Sequence, residues 1–228
     1  MSRLASFVIS LAFLIGMVCQ NPLPPYHTLT IDSRLNHIAV VGDSYTNGTD
    51  IGGQGPKAWT ALAWQGLARQ GVQIAADVAA EGRAGYGVRG DHGSIFQDLT
   101  ARAVKSDDVL VVFFGSRNDQ GVAPQVLAAM AHDSFQLARR AAPSAKLLVI
   151  GPPWPTADVP RAVLQIRDIL NAEARAAGAA FADPIADRWF VDRPDLIGAD
   201  GVHPNDAGHA YMADKIAPLI RAQLLKRL

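Results

Sequence analysis

The chain has 228 residues, of which 49% are hydrophobic and 18% charged, and its 21 Lys and Arg residues balance 21 Asp and Glu residues. This length suits one globular domain with a large core, and this composition excludes a disordered or coiled-coil protein. The balanced charge provides no overall field that would attract nucleic acid, so we expect no nucleic-acid partner.

The first twenty residues differ from the rest of the chain. Arg3 precedes sixteen uncharged residues, 4–19, which is typical of an export signal and shorter than the roughly 18 residues that indicate a spanning helix. The residues before Cys19 match no usual cleavage site, so a signal peptide and an uncleaved membrane anchor both stay open over residues 1–20. We therefore expect an exported protein, either extracellular or held in the cell envelope at the outer face of the cytoplasmic membrane.

Cys19 is the only cysteine of the chain and lies in this targeting segment. The folded part therefore contains no disulfide and no thiolate metal site. Three prolines in residues 21–36 indicate a linker, and the sequence from 37 to 228 has the patterns of a folded domain.

From His37 onward, short apolar runs alternate with longer amphipathic segments. The run DVLVVFFG is apolar on successive residues, as expected of a strand buried on both faces in a parallel sheet. Between residues 57 and 70, apolar side chains recur every three or four positions, which predicts a helix. In chain order the patterns predict strands at 38–41, 72–80, 108–115, 146–151 and 180–182, and helices at 57–70, 124–142, 160–178 and 206–225.

This alternation predicts an α/β fold with an open parallel sheet covered by helices on both sides, which is a three-layer α/β/α sandwich. In such a sheet, ligands bind at the carboxyl ends of the strands. The residues that follow each apolar run are therefore the ones to inspect for function.

The residues at the predicted strand ends suit acyl transfer. Ser44 follows the first strand, three glycines in EGRAGYG follow the second, Asn118 follows the third, and Asp200 and His203 precede the last helix. The reaction needs a hydroxyl nucleophile, an imidazole base, a carboxylate that orients the imidazole, and donors for an oxyanion. Taken alone, each motif has a simpler interpretation, because GDSYT is also a strand-ending turn and Asp200 is also a turn former.

The spacing of Asp200 and His203 has a physical meaning. Pro204 favours extended backbone at His203, so both residues are expected in a bend before the last helix. Across such a bend, the carboxylate reaches Nδ1 of the imidazole and leaves Nε2 free to face Ser44.

On these residues the chain resembles the SGNH hydrolases, also called GDSL esterases and lipases, over positions 37–228. The first block matches as GDSYT, with Tyr45 in place of leucine, and the last block matches fully as Asp200, His203 and Pro204. The resemblance implies a flavodoxin-like sheet and the hydrolysis of carboxylic esters through an acyl-enzyme intermediate, with no metal and no cofactor.

The same resemblance assigns roles to individual residues. Ser44 is the nucleophile, His203 the general base and Asp200 the acid that orients it. The oxyanion hole consists of the backbone N–H of Ser44, the backbone N–H of Gly85 and the side-chain amide of Asn118. Gly82 and Gly87 are alternatives to Gly85.

The third block departs from the family pattern G-x-N-D. Asn118 and Asp119 match, but Ser116 stands two positions before Asn118, and Gly115 is one residue early. The path of this loop is therefore open, whereas Asn118 still follows a strand directly.

Several functions remain alternatives at this stage. The expected substrate is an ester of a small molecule, a lipid or a carbohydrate. The same chemistry supports deacetylation of a cell-wall polysaccharide or transfer of an acyl group to a sugar. A non-catalytic binding module on the same scaffold is an alternative from a different class.

Other polar and aromatic residues have structural interpretations. We expect Asp43 and Asp119 to brace their loops, His209 to lie on the last helix, and the neighbours at 91 and 92 to have a loop role. The segment 48–55 is expected to line the substrate entrance. The tryptophans are as consistent with packing as with sugar binding: Trp59, Trp64, Trp154 and Trp189.

Overall fold

The computed structural model describes residues 35–225. Its central sheet has five parallel strands in the order β2-β1-β3-β4-β5: β1 (Asn36–Gly42), β2 (Ile74–Ala80), β3 (Leu110–Phe114), β4 (Lys146–Ile150) and β5 (Ala180–Ala182). The direction of winding reverses between β1 and β3, which opens a crevice at the carboxyl edge. The register aligns Gly42 with Ala80 on one side and with Phe114 on the other. The loops that leave these three strands are therefore neighbours.

The central strands send alternate side chains to opposite faces of the sheet. In β3, Val111 and Phe113 pack into one layer, whereas Leu110, Val112 and Phe114 pack into the other, and all five are fully buried. Both faces of the sheet are covered, so successive positions must all be apolar.

The helices of the described chain form the two outer layers. They are α1 (Ser44–Asn47), α2 (Trp59–Arg69), α3 (Phe96–Ala103), α4 (Pro124–Ala141), α5 (Arg161–Ala176) and α6 (Asp206–Leu225). The helices α3, α4 and α5 bury Phe96, Phe135 and Leu170 against one face. The helices α2 and α6 bury Leu67 and Ile216 against the other. The predicted three-layer sandwich is confirmed.

The predicted strands and helices all occur, with shifts of a few residues at their ends. Helix α3 is the element that the sequence patterns miss. It has only eight residues, so its apolar side chains complete too few turns to reveal a period. Its start is fixed by Asp98, whose Oδ2 accepts the Ile95 N–H at 3.1 Å.

The predicted targeting segment, residues 1–20, lies outside the described residues, as does most of the predicted linker, 21–36. The strand β1 begins at Asn36, one residue before the predicted domain start. Within residues 35–225, no helix combines the length and the apolar character needed to cross a membrane.

Candidate active site

Ser44 lies at the carboxyl end of β1, on the first residue of the single helical turn α1. Asp43 caps this turn, and its Oδ1 accepts the Tyr45 N–H at 2.9 Å. Position 42 requires glycine, because a Cβ there would lie 2.2 Å from Oγ1 of Thr46. The sequence GDS therefore forms a tight, capped turn that leaves Ser44 8% exposed at the wall of a cavity.

The loop before α6 brings His203 to Ser44. Asp200 Oδ1 accepts the backbone N–H groups of Val202 and His203 at 2.9 and 3.0 Å, and its Oδ2 lies 2.6 Å from His203 Nδ1. His203 Nε2 lies 3.0 Å from Ser44 Oγ. The structure thus joins three side chains into one hydrogen-bonded chain, as the bend before Pro204 predicts.

The charge of Asp200 follows from its hydrogen bonds. Desolvation raises the pKa of this carboxyl, but donors from the His203 side chain and from the backbone of His203 and Val202 outweigh that effect and lower the pKa to about 2. The carboxylate is therefore ionised at neutral pH. The carboxylate accepts a hydrogen bond from the proton on His203 Nδ1, so the lone pair of Nε2 points towards Ser44.

Tyr45, which replaces the family's leucine, ties the nucleophile turn to the histidine loop. Its hydroxyl donates to the backbone carbonyl of Val202, the residue before His203. Burial raises the pKa of Tyr45 to about 12, so this hydroxyl keeps its proton. This bond ties the turn that carries Ser44 to the residue before His203.

Asn118 lies in a 3-10 turn, Arg117–Gly121, that follows β3. The hydroxyl of Ser116 accepts the Asn118 backbone N–H at 3.0 Å and donates to the carbonyl of Ala84 at 3.1 Å. Asn118 Nδ2 donates to the same carbonyl at 2.9 Å and lies 3.4 Å from Asp43 Oδ2. Ser116, where the family has glycine, therefore caps the turn and fixes the path of the loop.

Gly85, the second predicted backbone donor, has its N–H bonded within its own loop. The N–H of Gly85 donates to the Val88 carbonyl at 2.8 Å, and Gly85 does not line the cavity that contains Ser44. Gly82, three residues earlier, does line it. Among the described residues, no acceptor pairs with the N–H of Gly82 or of Ser44. Of these two glycines, only Gly82 combines a position on the cavity wall with a backbone N–H that has no acceptor among the described residues.

Asp119 explains why position 85 is glycine. Its carboxylate accepts the backbone N–H groups of Tyr86, Gly87 and Val88 at 2.8–3.2 Å. A Cβ at Gly85 would lie 2.4 Å from Asp119 Oδ1. Burial raises the pKa of Asp119, because the loss of hydration outweighs the opposite effect of these three donors. The expected bracing roles of Asp43 and Asp119 are confirmed by these hydrogen bonds.

The cavity at the strand ends has a volume of about 610 Å³. Its walls are mostly polar side chains and glycine backbone rather than aliphatic side chains. They comprise Ser44, Asn47, Gly48, Thr49, Asp50, Gly82, Arg83, Asp91, Arg117, Asn118, Gln120, Val202 and His203. The first three residues of the segment 48–55, which is expected to line the substrate entrance, lie in this wall. Asp91 belongs to this wall through an ion pair with Arg83 at 3.3 Å, a role that the sequence interpretation missed.

The segment 48–57 is fastened to the start of α6. Gly53 N–H donates to Asp206 Oδ1 at 3.1 Å, and Lys57 Nζ donates to Asp206 Oδ2 at 2.6 Å. His209, one helical turn further along, accepts the Trp59 N–H on Nδ1 at 3.3 Å. Its ring packs against the Cα of Gly53, where a Cβ would lie 2.0 Å from Nε2. Burial lowers the pKa of His209 to about 4, so the imidazole is neutral.

The four tryptophans divide between packing and the cavity side. Trp59 and Trp189 are buried in the core between the sheet and α6, and Trp64 packs edge-on against Trp59 with ring centroids 6.1 Å apart. Trp154 is different, because its ring carries the Arg117 guanidinium at 4.1 Å. Trp59, Trp64 and Trp189 are therefore packing residues.

Comparisons with known proteins identify the family of this chain. A family model described as the GDSL-like lipase/acylhydrolase family matches residues 40–211. The chain belongs to this family. It is accordingly a carboxylic-ester hydrolase, and the non-catalytic alternative no longer applies. A GDSL lipase of Mycobacterium tuberculosis is 68% identical over 99% of this chain and 100% of its own length.

Solved structures resemble this GDSL hydrolase in fold at low sequence identity. A psychrotrophic esterase from Pseudoalteromonas superposes with a TM-score of 0.66 at 15% identity, over 83% of this chain and 98% of its own. A family two carbohydrate esterase from Clostridium thermocellum, in complex with cellohexaose, superposes with a TM-score of 0.65 at 16% identity, over 83% of this chain and 64% of its own.

Proposed function

We propose that this GDSL hydrolase cleaves carboxylic esters with Ser44 as nucleophile, His203 as general base and Asp200 as the group that orients the base. The observation that carries the proposal is the chain of contacts from Ser44 Oγ to His203 Nε2, at 3.0 Å, and from His203 Nδ1 to Asp200 Oδ2, at 2.6 Å. These distances suit proton transfer without any rearrangement.

In the first half of the reaction, Ser44 Oγ attacks the ester carbonyl carbon while its proton passes to His203 Nε2. The tetrahedral intermediate collapses as the bond to the alcohol oxygen breaks, and the imidazolium returns the proton to that oxygen. In the second half, His203 takes a proton from water as the water oxygen attacks the acyl carbon. The bond from that carbon to Ser44 Oγ then breaks, the imidazolium returns the proton to Oγ, and the carboxylic acid leaves. Asp200, ionised throughout, stabilises the imidazolium.

Three donors are proposed for the oxyanion: the backbone N–H groups of Ser44 and Gly82, and the side-chain amide of Asn118. Support comes from the two backbone N–H groups, which have no acceptor among the described residues. The amide of Asn118 donates to Ala84 at 2.9 Å and, more weakly, to Asp43 at 3.4 Å, and the longer of these two bonds is the one that the oxyanion would replace. Donors fixed before the reaction starts stabilise the developing charge most effectively.

A fluorophosphonate probe tests this function directly. We expect covalent labelling of the Ser44 peptide in the wild type and no labelling of Ser44→Ala. Hydrolysis of p-nitrophenyl esters of increasing chain length then measures acyl preference. Labelling at another serine, with esterase activity retained by Ser44→Ala, would refute the assignment.

Deacetylation of a polysaccharide, or acyl transfer to a sugar, is the second candidate. The polar walls of the cavity favour it, because Asn47, Thr49, Asp50 and Gln120 can all bond to hydroxyl groups. A product assay with and without a sugar acceptor separates transfer from hydrolysis. Release of acetate from an acetylated polysaccharide tests the deacetylase.

We also propose that the protein is exported, either released or tethered by its N-terminal segment. The support is the uncharged stretch 4–19 behind Arg3. Fractionation of cells that produce the full chain, followed by mass determination of the N-terminus, tests both the location and the cleavage. Recovery of the full chain from the cytosol would contradict export.

A further inference from the structure

A cation lies in the catalytic cavity with no role in the proposed reaction. Arg117 begins the 3-10 turn that contains Asn118, and its side chain lines the same cavity as Ser44 and His203. It therefore stands one residue from a proposed oxyanion donor, in the cavity that contains Ser44.

The guanidinium of Arg117 is held on one face by Trp154. Its Cζ lies 4.1 Å from the centre of the indole ring, and Trp154 Nε1 donates to Thr156 Oγ1 at 3.2 Å. Stacking on an aromatic face limits the motion of a guanidinium and leaves its N–H edge for hydrogen bonds. The cation is thus positioned before a ligand binds.

Arg117 lacks an anionic partner. Its Nη1 is buried with no acceptor in hydrogen-bonding geometry, and no carboxylate among residues 35–225 lies within 4.0 Å of its nitrogens. The neutral hydroxyl of Tyr45 is near enough for Arg117 to lower the pKa of Tyr45, but it brings no negative charge. The second arginine of the cavity, Arg83, differs in this respect, because its Nη1 lies 3.3 Å from Asp91 Oδ1. A buried donor without an acceptor is rare in folded proteins and calls for an explanation.

We propose that Arg117 binds an anionic oxygen group of the substrate, so that the enzyme prefers esters bearing a carboxylate or a phosphate near the scissile bond. The planar fork of arginine suits both groups, because it donates two parallel N–H bonds to their oxygens. This inference rests on the proposed esterase function, since it names the substrate class of that same site.

Matched ester pairs test the preference and locate the anion. In the acyl arm, p-nitrophenyl hydrogen succinate is compared with p-nitrophenyl butyrate. In the alcohol arm, p-acetoxybenzoate and p-acetoxyphenyl phosphate are each compared with p-acetoxybenzamide. We expect the wild type to favour the charged ester of at least one arm by about 10-fold or more in kcat/KM, the range of a charge-assisted contact.

Variants assign this preference to Arg117. Arg117→Gln is expected to reduce the charged-to-neutral ratio about 10-fold while the neutral ester keeps its rate within about 3-fold, and Arg117→Lys to keep part of the preference. Arg83→Gln removes the same charge from the same cavity, and its ratio is expected to stay near that of the wild type.

Arg117 also lies close enough to the buried Asp43 to lower the pKa of that carboxyl, which gives a structural alternative. If that were its only role, Arg117→Gln would slow charged and neutral esters alike, and an unchanged ratio in every arm would overturn the inference. If Arg117→Gln fails to fold, Arg117→Lys decides the matter, because lysine keeps the charge and lacks the planar fork, and a ratio equal to that of the wild type would overturn the inference.

Failure of the underlying function looks different from failure of the inference. In that case no ester of either arm is hydrolysed and the fluorophosphonate does not label Ser44. An enzyme that labels at Ser44 and cleaves neutral and charged esters equally would retain the proposed function and refute the role of Arg117.

Discussion

The two sides of the catalytic cleft are held in place by different chemistry. On the base side, His203 is followed by the start of α6. There the neutral, buried imidazole of His209 accepts the Trp59 N–H, and Asp206 forms an exposed ion pair with Lys57. On the donor side, the buried carboxylates of Asp43 and Asp119 accept N–H groups of the loops that carry the proposed oxyanion donors. Backbone N–H groups need buried acceptors to hold them, and the cost is desolvation of the acceptor charge.

The largest expected effect is the loss of activity when Ser44 or His203 is replaced. Ser44→Ala and His203→Ala should each lower kcat/KM about 10⁴-fold or more, and the double variant should lose little beyond either single one, because the residues act as a unit. Initial rates on a p-nitrophenyl ester measure this. Additive losses in the double variant would show that the two residues act separately.

The pH dependence of stability should have opposite signs on the two sides. Burial raises the pKa of Asp43 from 3.8 to about 7, so between these values the folded state keeps a proton that the unfolded state loses, and stability falls by about 4 kcal/mol as pH rises. Burial lowers the pKa of His209 from 6.5 to about 4, so stability falls by about 3 kcal/mol as pH drops through that range.

Relative to the wild type, Asp43→Asn should therefore become less stable towards pH 4, and His209→Asn less stable towards pH 7. Urea denaturation at intervals between pH 4 and 7 measures both. Both replacements keep an oxygen acceptor for the Tyr45 or Trp59 N–H. Two variants with the profile of the wild type would show that neither group titrates in this range.

On the donor side, Asn118→Ala should reduce kcat about 10² to 10³-fold, equivalent to about 3 to 4 kcal/mol, with little change in KM. The reason is that an oxyanion donor acts mainly in the transition state. Asn171→Ala, on α5, is the matched control and should keep full activity. A rise in KM at unchanged kcat would instead indicate that Asn118 binds the ground state.

Asp119→Asn should cost about 3 kcal/mol of unfolding free energy, because an amide cannot accept all three N–H groups that the carboxylate now accepts. Urea denaturation gives the value. Asp168→Asn is the control, since Asp168 forms an exposed ion pair with Arg167. Equal stability of the two variants would contradict the bracing role of Asp119.

The smallest effect is expected from Lys57→Ala on the base side. Lys57 and Asp206 are 66% and 47% exposed in their side chains, and exposed ion pairs contribute little. The melting temperature should stay within about 2 °C of the wild type. Asp206→Ala should lower it further, because Asp206 also accepts the Gly53 N–H. Equal shifts would show that only the ion pair matters.

Sequence patterns predicted the strands and the proximity of Ser44 and His203, for a simple reason. Strands buried on both faces are continuous apolar runs, and in a parallel sheet the residues after those runs share one edge. Ser44 and His203, 159 positions apart, could therefore be expected at one place, and they lie 3.0 Å apart.

The second backbone donor could not be chosen in the same way. Gly82, Gly85 and Gly87 all follow β2 within a few residues, and each is compatible with a loop. In the structure, Asp119 packs against Gly85, and Gly82 is the one of the three that lines the cavity. A contact between residues more than thirty positions apart has no local signal.

The same limitation applies to Arg117 and His209. As sequence letters they are a surface cation and a helical histidine. Their environments are a tryptophan ring from the loop after β4 and a glycine from the segment before α2. Both contacts arise only when the layers of the fold come together.

By itself, the sequence determined the layered fold and brought the proposed nucleophile, base and acid to one edge of the sheet, because periodicity, strand-end position and the bend before Pro204 are all local properties. The tertiary structure alone decided which glycine N–H faces the cavity, how buried carboxylates hold the donors, and which arginine lacks a partner. Those features depend on burial and on distances between distant segments, and only packing sets them.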